Sequence, residues 1–462
     1  MRMRGAALLA LLLTFPSVAW SDEDPAEDEG TDETAEQDDG DPLEERVRQL
    51  EEELRALKAL LQTPPPDPPP DPPPDLDLAE LEAALAADAA ALEQSGAPPP
   101  KPESKTRTFA ASTQSLNPDI SFIADVAFAW FSADEPMQSG GHDPSKNGFS
   151  LQQLELSVSK TVDPYFEFDA NIVFSQFGVE IEEVYATTLG LPIGLQVRAG
   201  QFLTRFGRIN NTHPHSWDFV DQAFAVGRVF GGEGNRGLGA EASILMPFPW
   251  YFELIASETM AGGASTARSF FGGDDLGAKT PADMQTTVAI KQFFPLGADH
   301  SLFWGLSWAG GPNSTGRSNR TEVYGSDLYY KWRPVSRGGF AEVSLEAEVF
   351  WRRQQVPGDV LQDVSLYAQL FWRFAPRWGV AGRYEYGSPT TNMGGDRVAD
   401  PQHPAWTLAR HRASANVTFW PTEFSRIRLQ GSSNIPRWLE KPEWAVMLAF
   451  EFAVGAHGAH AF

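Results

Sequence analysis

The chain of 462 residues carries a formal charge of −26, no cysteine and 12% aromatic residues. The missing thiols exclude disulfides, a thiolate metal centre and a lipid-acceptor thiol, and the acidity excludes the basic face that nucleic-acid binding requires. The charge is unevenly spread: residues 22–107 hold 26 acidic against 7 basic side chains, so the rest of the chain is only mildly acidic.

Arg2 and Arg4 precede an apolar run over residues 6–15, and Ser17, Ala19 and Ser21 offer a small-residue cleavage site. Residues 1–21 therefore read as a secretory signal peptide, the run being too short for a membrane-anchoring helix. Residues 22–41 are rich in like charge, cannot bury a core and are predicted to be disordered. Within residues 42–63, Leu43, Val47, Leu50, Leu54, Leu57 and Leu61 alternate spacings of four and three, a short coiled-coil pattern. Arg46 and Glu53 then take g positions and Glu51 and Lys58 the following e positions, which pairs opposite charges in a parallel assembly. A lone helix of this length is marginal in water, so self-association is expected.

Residues 64–75, with PPP blocks separated by Asp67 and Asp71, predict a stiff polyproline II spacer. A second helical stretch over residues 76–95 places Leu78, Leu85 and Leu92 seven apart, with Asp88 and many alanines weakening its seam, and residues 96–117 form a linker. Such a stalk is suited to crossing the periplasm, touching the cell wall or aligning subunits.

From residue 118 to 462 the texture changes to alternating segments of about ten residues divided by turn residues, the pattern of a membrane-spanning barrel. Ile120, Phe122, Ala124, Val126, Phe128 and Trp130 share one face, opposite Ser121, Asp125 and Ala127. Likewise Val343, Leu345, Ala347, Val349 and Trp351 alternate with Glu342, Ser344, Glu346 and Glu348. Aromatic residues gather at segment ends, as at Trp130, Trp332, Trp372 and Trp420, where an interfacial girdle belongs.

Sixteen strands are predicted, beginning near Asp119, Gly148, Pro164, Val179, Pro192, Arg236, Pro249, Asp283, His300, Glu322, Gly339, Leu361, Arg377, Leu408, Phe424 and Pro442. Connections after even-numbered strands are short. Those after odd-numbered strands include the long stretches 132–147, 204–235, 259–282 and 388–407, which orients the barrel with both ends periplasmic. The last strand alternates Trp444, Val446, Leu448, Phe450, Phe452 and Val454 into a terminal Phe462, resembling an outer-membrane assembly signal read by the barrel-assembly machinery; His460 breaks the apolar parity. The fold class is thus all-β, an antiparallel transmembrane β-barrel of about 16 strands behind a short α-helical coiled coil and a proline-rich linker.

At residues 197–221, Arg198, Gly200, Gln201, Phe202, Phe206 and Gly207 resemble the phosphate-selective porins and their relatives, some labelled zinc-regulated outer-membrane receptors. The resemblance extends loosely over residues 118–462. It implies sixteen strands, a trimer and a third external loop folded into the pore. The chain lacks a lysine-rich constriction, so phosphate specificity does not follow, and residues 22–117 lack the folded plug of a TonB-dependent receptor.

The expected function is a porin-like channel of the Gram-negative outer membrane, a homo-oligomer in outer-membrane lipid that passes small hydrophilic solutes, anionic ones among them. Assigning apolar parity to lipid leaves Arg373, Arg383, Arg410, Arg412, Arg426 and Arg428 as a basic pore lining and Asp125, Glu155, Glu167 and Asp169 as an acidic one. Arg205, Arg208, His213, His215, Asp218 and Arg228 would lie on the constriction loop. No catalytic residue or resident cofactor is expected, because His213, His215, Ser216 and Asp218 are too close in sequence to signify a triad. Two alternatives stand beside the channel. One is zinc uptake or capture through His213 and His215, with His457 and His460 near the C-terminus. The other is a non-conducting structural barrel or adhesin.

Overall fold

The computed structural model describes residues 118–175, 178–260, 265–271, 278–337 and 340–455. The signal peptide, acidic segment, coiled coil, proline spacer, second helix and linker expected from the sequence lie outside the described residues, as do His457, His460 and Phe462.

Strand formation follows the period-two alternation, which turns successive side chains to opposite faces. The spanning strands are β1 Asp119–Phe131, β2 Gly148–Thr161, β3 Phe166–Ser175, β4 Gly178–Thr188, β5 Leu195–Leu203, β6 Arg236–Leu245, β7 Tyr251–Met260 and β8 Gln285–Pro295. They continue as β9 His300–Asn313, β10 Gly316–Trp332, β11 Glu342–Val356, β12 Asp359–Ala375, β13 Trp378–Gly387, β14 Arg410–Thr422, β15 Ser425–Pro436 and β16 Glu443–Gly455. Each pairs antiparallel with its chain neighbours. β1 then pairs with β16 from Ser121 opposite Gly455 to Phe131 opposite Ala445, closing a sixteen-stranded barrel. Closure removes every unpaired edge, the condition for a sheet to stand in lipid.

The outward faces carry Ile120, Phe122, Phe128, Trp130, Leu345, Val349, Trp351, Trp444, Val446 and Phe452, all exposed. The inward faces bury polar groups instead, including Asp125, Glu155, Asp327, Glu348, Arg352 and Gln430. The strand starts fall close to those predicted; β10 begins ahead of Glu322, at Gly316, because its hairpin with β9 continues past an irregularity between Gly316 and Arg320. A two-residue strand, Thr391–Asn392, pairs with β12 inside the connection after β13.

Among the irregularities in register, two bulges lie near the inner loop. Asp125 pairs with Gln153 and Val126 with Leu151, which leaves Gln152 of β2 extra. Asn171 pairs with Glu183 and Ile172 with Ile181, which leaves Glu182 of β4 extra. An extra residue re-aims the side chains around it. Val179 and Ile181 are accordingly 65% and 51% exposed, while the consecutive Glu182 and Glu183 are both buried, at 5% and 6%.

Candidate functional site

The connection 204–235, third on the long-loop side, runs into the barrel. Its neck is closed by Asn210, whose side chain donates to the carbonyl oxygens of Thr204 (2.8 Å) and Asn235 (3.2 Å) and accepts from the Asn235 N–H (2.7 Å). The elbow behind it is Phe206-Gly207. Gly207 has φ of 61°, and a Cβ there would run into the Glu348 carboxylate. Glu348 on β11 accepts the N–H groups of Arg208 (3.1 Å) and Ile209 (2.7 Å), while Lys291 on β8 donates to the Gly207 carbonyl. The left-handed backbone and close approach require glycine, which accounts for one half of this motif. Phe206 accounts for the other by packing against Phe230 and Phe350.

Beyond the elbow the loop crosses to the opposite wall. Asp221 receives Arg383 of β13, Arg412 of β14 at 3.0 Å and Gln430 of β15 at 2.8 Å. Arg412 also holds Glu385, whose other oxygen accepts the Phe224 N–H at 2.6 Å. A short helix, Phe224–Phe230, follows; all seven of its residues are buried, and it ends at Gly231 with φ of 90°. Val226, Val229 and Phe230 join Phe206, Phe270, Val323, Phe350 and Tyr367 in an apolar cluster inside the barrel. That half of the lumen is therefore filled by protein.

The arginines expected to line a basic wall face inward, and each gives at least one hydrogen bond to a carbonyl or carboxylate beside it. Arg428 gives hydrogen bonds to the carbonyls of Trp217 (2.9 Å) and Phe219 (2.8 Å), and Arg426 to those of His215 and Trp217 and to Glu451. Arg410 donates to Met137 O (2.7 Å) in the connection 132–147 and to Asn434. Arg373 stands near the turn after β12, stacked on Trp420. The sequence shows which arginines point inward and does not show that loop carbonyls come to meet them.

The loop's own charges are similarly placed. Arg205 pairs with Glu241 (2.7 Å) and Glu253 (2.8 Å), Arg208 with Glu346 (3.3 Å) beneath the Tyr329 ring, and Arg228 with Asp363 (3.3 Å) against Trp406. Glu167 and Asp169, expected in the acidic lining, border a recess of about 210 Å³ with Arg198 and Arg205. Asp125 is buried against Gln153.

Beside the loop lies a chamber of about 630 Å³. It is lined by Glu155, Glu183, Asp218, Glu342 and Glu346, with Arg208 paired to Glu346 and Lys331 to Glu342, both at 3.3 Å, and by His213 and His215 of the loop. His213 lies 3.0 Å from Glu182 and 2.9 Å from Glu183, and His215 lies 3.0 Å from Glu155. The two rings stack 5.7 Å apart and both reach Glu155, His215 at 3.0 Å and His213 at 3.8 Å, and it is His213 that shares a ligand-forming cluster with Glu155 and Glu182. Burial pulls the His213 imidazole down, but Glu182 and Glu155 outweigh it and hold the group well above its usual range. Burial and the nearby Glu346 carboxylate push the Asp218 carboxyl up to about 7.

A second cluster lies behind the chamber, where the connection 132–147 folds over the loop. His142 is 3.4 Å from Glu233, and Glu182 completes the group. Sequence reasoning missed Glu182, Glu183, His142 and Glu233. Parity placed Glu182 and Glu183 on opposite faces, and only the bulge brings both inward.

No family model matches the chain. A protein of Aquifex aeolicus described as "Uncharacterized protein" is 30% identical over 395 residues, covering 76% of this chain and 81% of its own length. Among solved structures, the high-pH structure of Pseudomonas putida OprB is similar with a TM-score of 0.50 at 12% identity, over 74% of this chain and 96% of that one. The outer membrane channel DcaP of Acinetobacter baumannii is similar at a TM-score of 0.48 and 11% identity, over 73% of this chain and 96% of that one. At such identities the likeness speaks for the barrel alone.

Proposed function

The chain belongs to the family of the Aquifex aeolicus protein, and we propose that it is an outer-membrane channel through which small hydrophilic solutes diffuse passively, cations in modest preference to anions. The observation that carries this is the loop 204–235 fastened inside a closed barrel, leaving an acidic chamber of about 630 Å³ beside it. Low-dielectric walls around such a chamber focus the field of its carboxylates and set which ions enter. The sequence alone favoured anions moving along an arginine wall. This proposal departs from that, because guanidiniums engaged by loop carbonyls and carboxylates are not free to meet a passing anion. The outward apolar belt supports residence in outer-membrane lipid, and the heptad charges of residues 42–63 support a homo-oligomer, a trimer by the family resemblance, with its stalk in the periplasm.

The test is conductance of the purified protein in planar bilayers. Discrete steps, with a reversal potential on the cation side in a KCl gradient, are expected. Replacing Glu342 and Glu346 with Gln should move that potential toward zero. A protein that inserts and shows no steps would instead be a non-conducting structural barrel.

A further inference from the structure

Three segments far apart in sequence bring metal-ligating atoms together beneath the connection 132–147. They are the imidazole of His142, the carboxylate of Glu182 on β4 and that of Glu233 at the end of the inner loop; the three ligand atoms lie within 4.8 Å of one another. Glu182 is there because of the bulge, which strand pairing does not require. A second bulge, in β2, contributes as well: Gln152 donates to the His142 carbonyl at 3.1 Å and so fixes the segment that carries the imidazole. The group borders a space of about 30 Å³, room for an ion with a water, since one water needs roughly 10–15 Å³. The side-chain oxygen of Gln222, also on this space, is buried without a hydrogen-bond partner. A buried unpaired acceptor is costly and calls for an explanation.

We propose that this pocket binds a first-row divalent metal ion, Zn²⁺ or Mn²⁺ in chemistry, through His142, Glu182 and Glu233, with the Gln222 oxygen or a water completing the shell. One imidazole and two carboxylates neutralise a divalent charge and match the nitrogen and oxygen donors such ions accept. Ca²⁺ asks for six to eight oxygens, more than converge here. The neighbouring group of Glu155, Glu182 and His213 is the weaker candidate, because His213 already has carboxylates at 3.0 Å and 2.9 Å on its two nitrogens. His142 has its carboxylate contact to Glu233 on one ring nitrogen, at 3.4 Å. A bound ion would pin the segment 132–147 to the inner loop. Binding does not depend on conduction, so the two readings fail separately.

The full-length protein, purified in detergent and stripped with EDTA, is titrated with Zn²⁺ by calorimetry, with Mn²⁺ followed by electron paramagnetic resonance. One saturable site per chain is expected, weakened at least about tenfold by His142→Ala and by Glu233→Gln and unchanged by His411→Ala on the outer face. X-ray absorption of the Zn²⁺-loaded wild type should count a single imidazole. Failure of both Zn²⁺ and Mn²⁺ to bind the wild type, undiminished affinity in a folded His142→Ala variant, or a shell with two imidazoles overturns the proposal; the wild-type measurements decide it even if the variants do not fold.

Discussion

Asp221, on the inner loop, lies 3.0 Å from Arg412 of β14, although 191 residues separate them along the chain. Both are buried, and Arg383 and Glu385 complete the cluster. Removing one partner of a buried pair leaves the other uncompensated, at about 3–5 kcal/mol. Arg412→Ala should therefore release the loop from the wall and be read as larger, noisier conductance steps, with a lower melting temperature by circular dichroism. Unaltered steps and melting would show that this pair does not hold the loop.

Deleting residues 210–230 removes the crossing segment and the helix Phe224–Phe230 while sparing all sixteen spanning strands. Single-channel conductance should rise severalfold. A deletion protein that folds and conducts as the wild type does would mean that ions take a path the loop does not border.

Gly207→Ala sets a Cβ against the Glu348 carboxylate at a left-handed φ of 61°. Backbone strain of this kind costs about 1–3 kcal/mol, and here it falls on the elbow that turns the loop inward. The variant should melt at lower temperature than the wild type, whereas Gly358→Ala, also at positive φ but with nothing near its added Cβ, should lose less.

Asp218 titrates near neutrality because burial and Glu346 raise its carboxyl to about 7. For an acid whose folded value is raised, the stabilising contribution is present at low pH and lost as pH rises through that value. The chamber correspondingly gains negative charge between pH 6 and 8. Cation preference, read as reversal potential, should strengthen over that interval, and Asp218→Asn should flatten the change.

Deleting residues 43–62 should weaken oligomers on native gels without preventing membrane insertion, since the heptads precede all sixteen barrel strands in the sequence. Equal oligomer stability with and without the segment would dismiss the coiled coil as the source of association.

The barrel was legible in the sequence because a period of two is a local signal. In β1 and β11 each residue declares its face through its neighbours two away, and the exposed Phe122, Phe128, Leu345 and Val349 obey. Pro and Gly mark the turns in the same local way. The candidate metal group was not legible, because Glu182 enters through one extra residue that no parity argument anticipates. Its partners His142 and Glu233 lie on connections without periodicity. Arg383, Arg410, Arg412 and Arg428 of β13 to β15 are buried, and the partners of Arg412 and Arg428 at Trp217, Phe219 and Asp221 are long-range facts that depend on the path of a loop.

That path bears on the order in which the molecule takes shape. The inner loop leaves the ribosome before β8, β11, β13, β14 and β15, the strands that supply Lys291, Glu348, Arg383, Arg412 and Gln430 to hold it. Until those strands are laid down, its apolar helix and the Asp221 carboxylate have no wall to meet. Docking is thus among the latest events in maturation and slow for topological reasons, since contacts this distant in sequence form only after large loops have closed. A chain lacking β14 and β15 would leave Asp221 without the Arg412 and Gln430 that hold it.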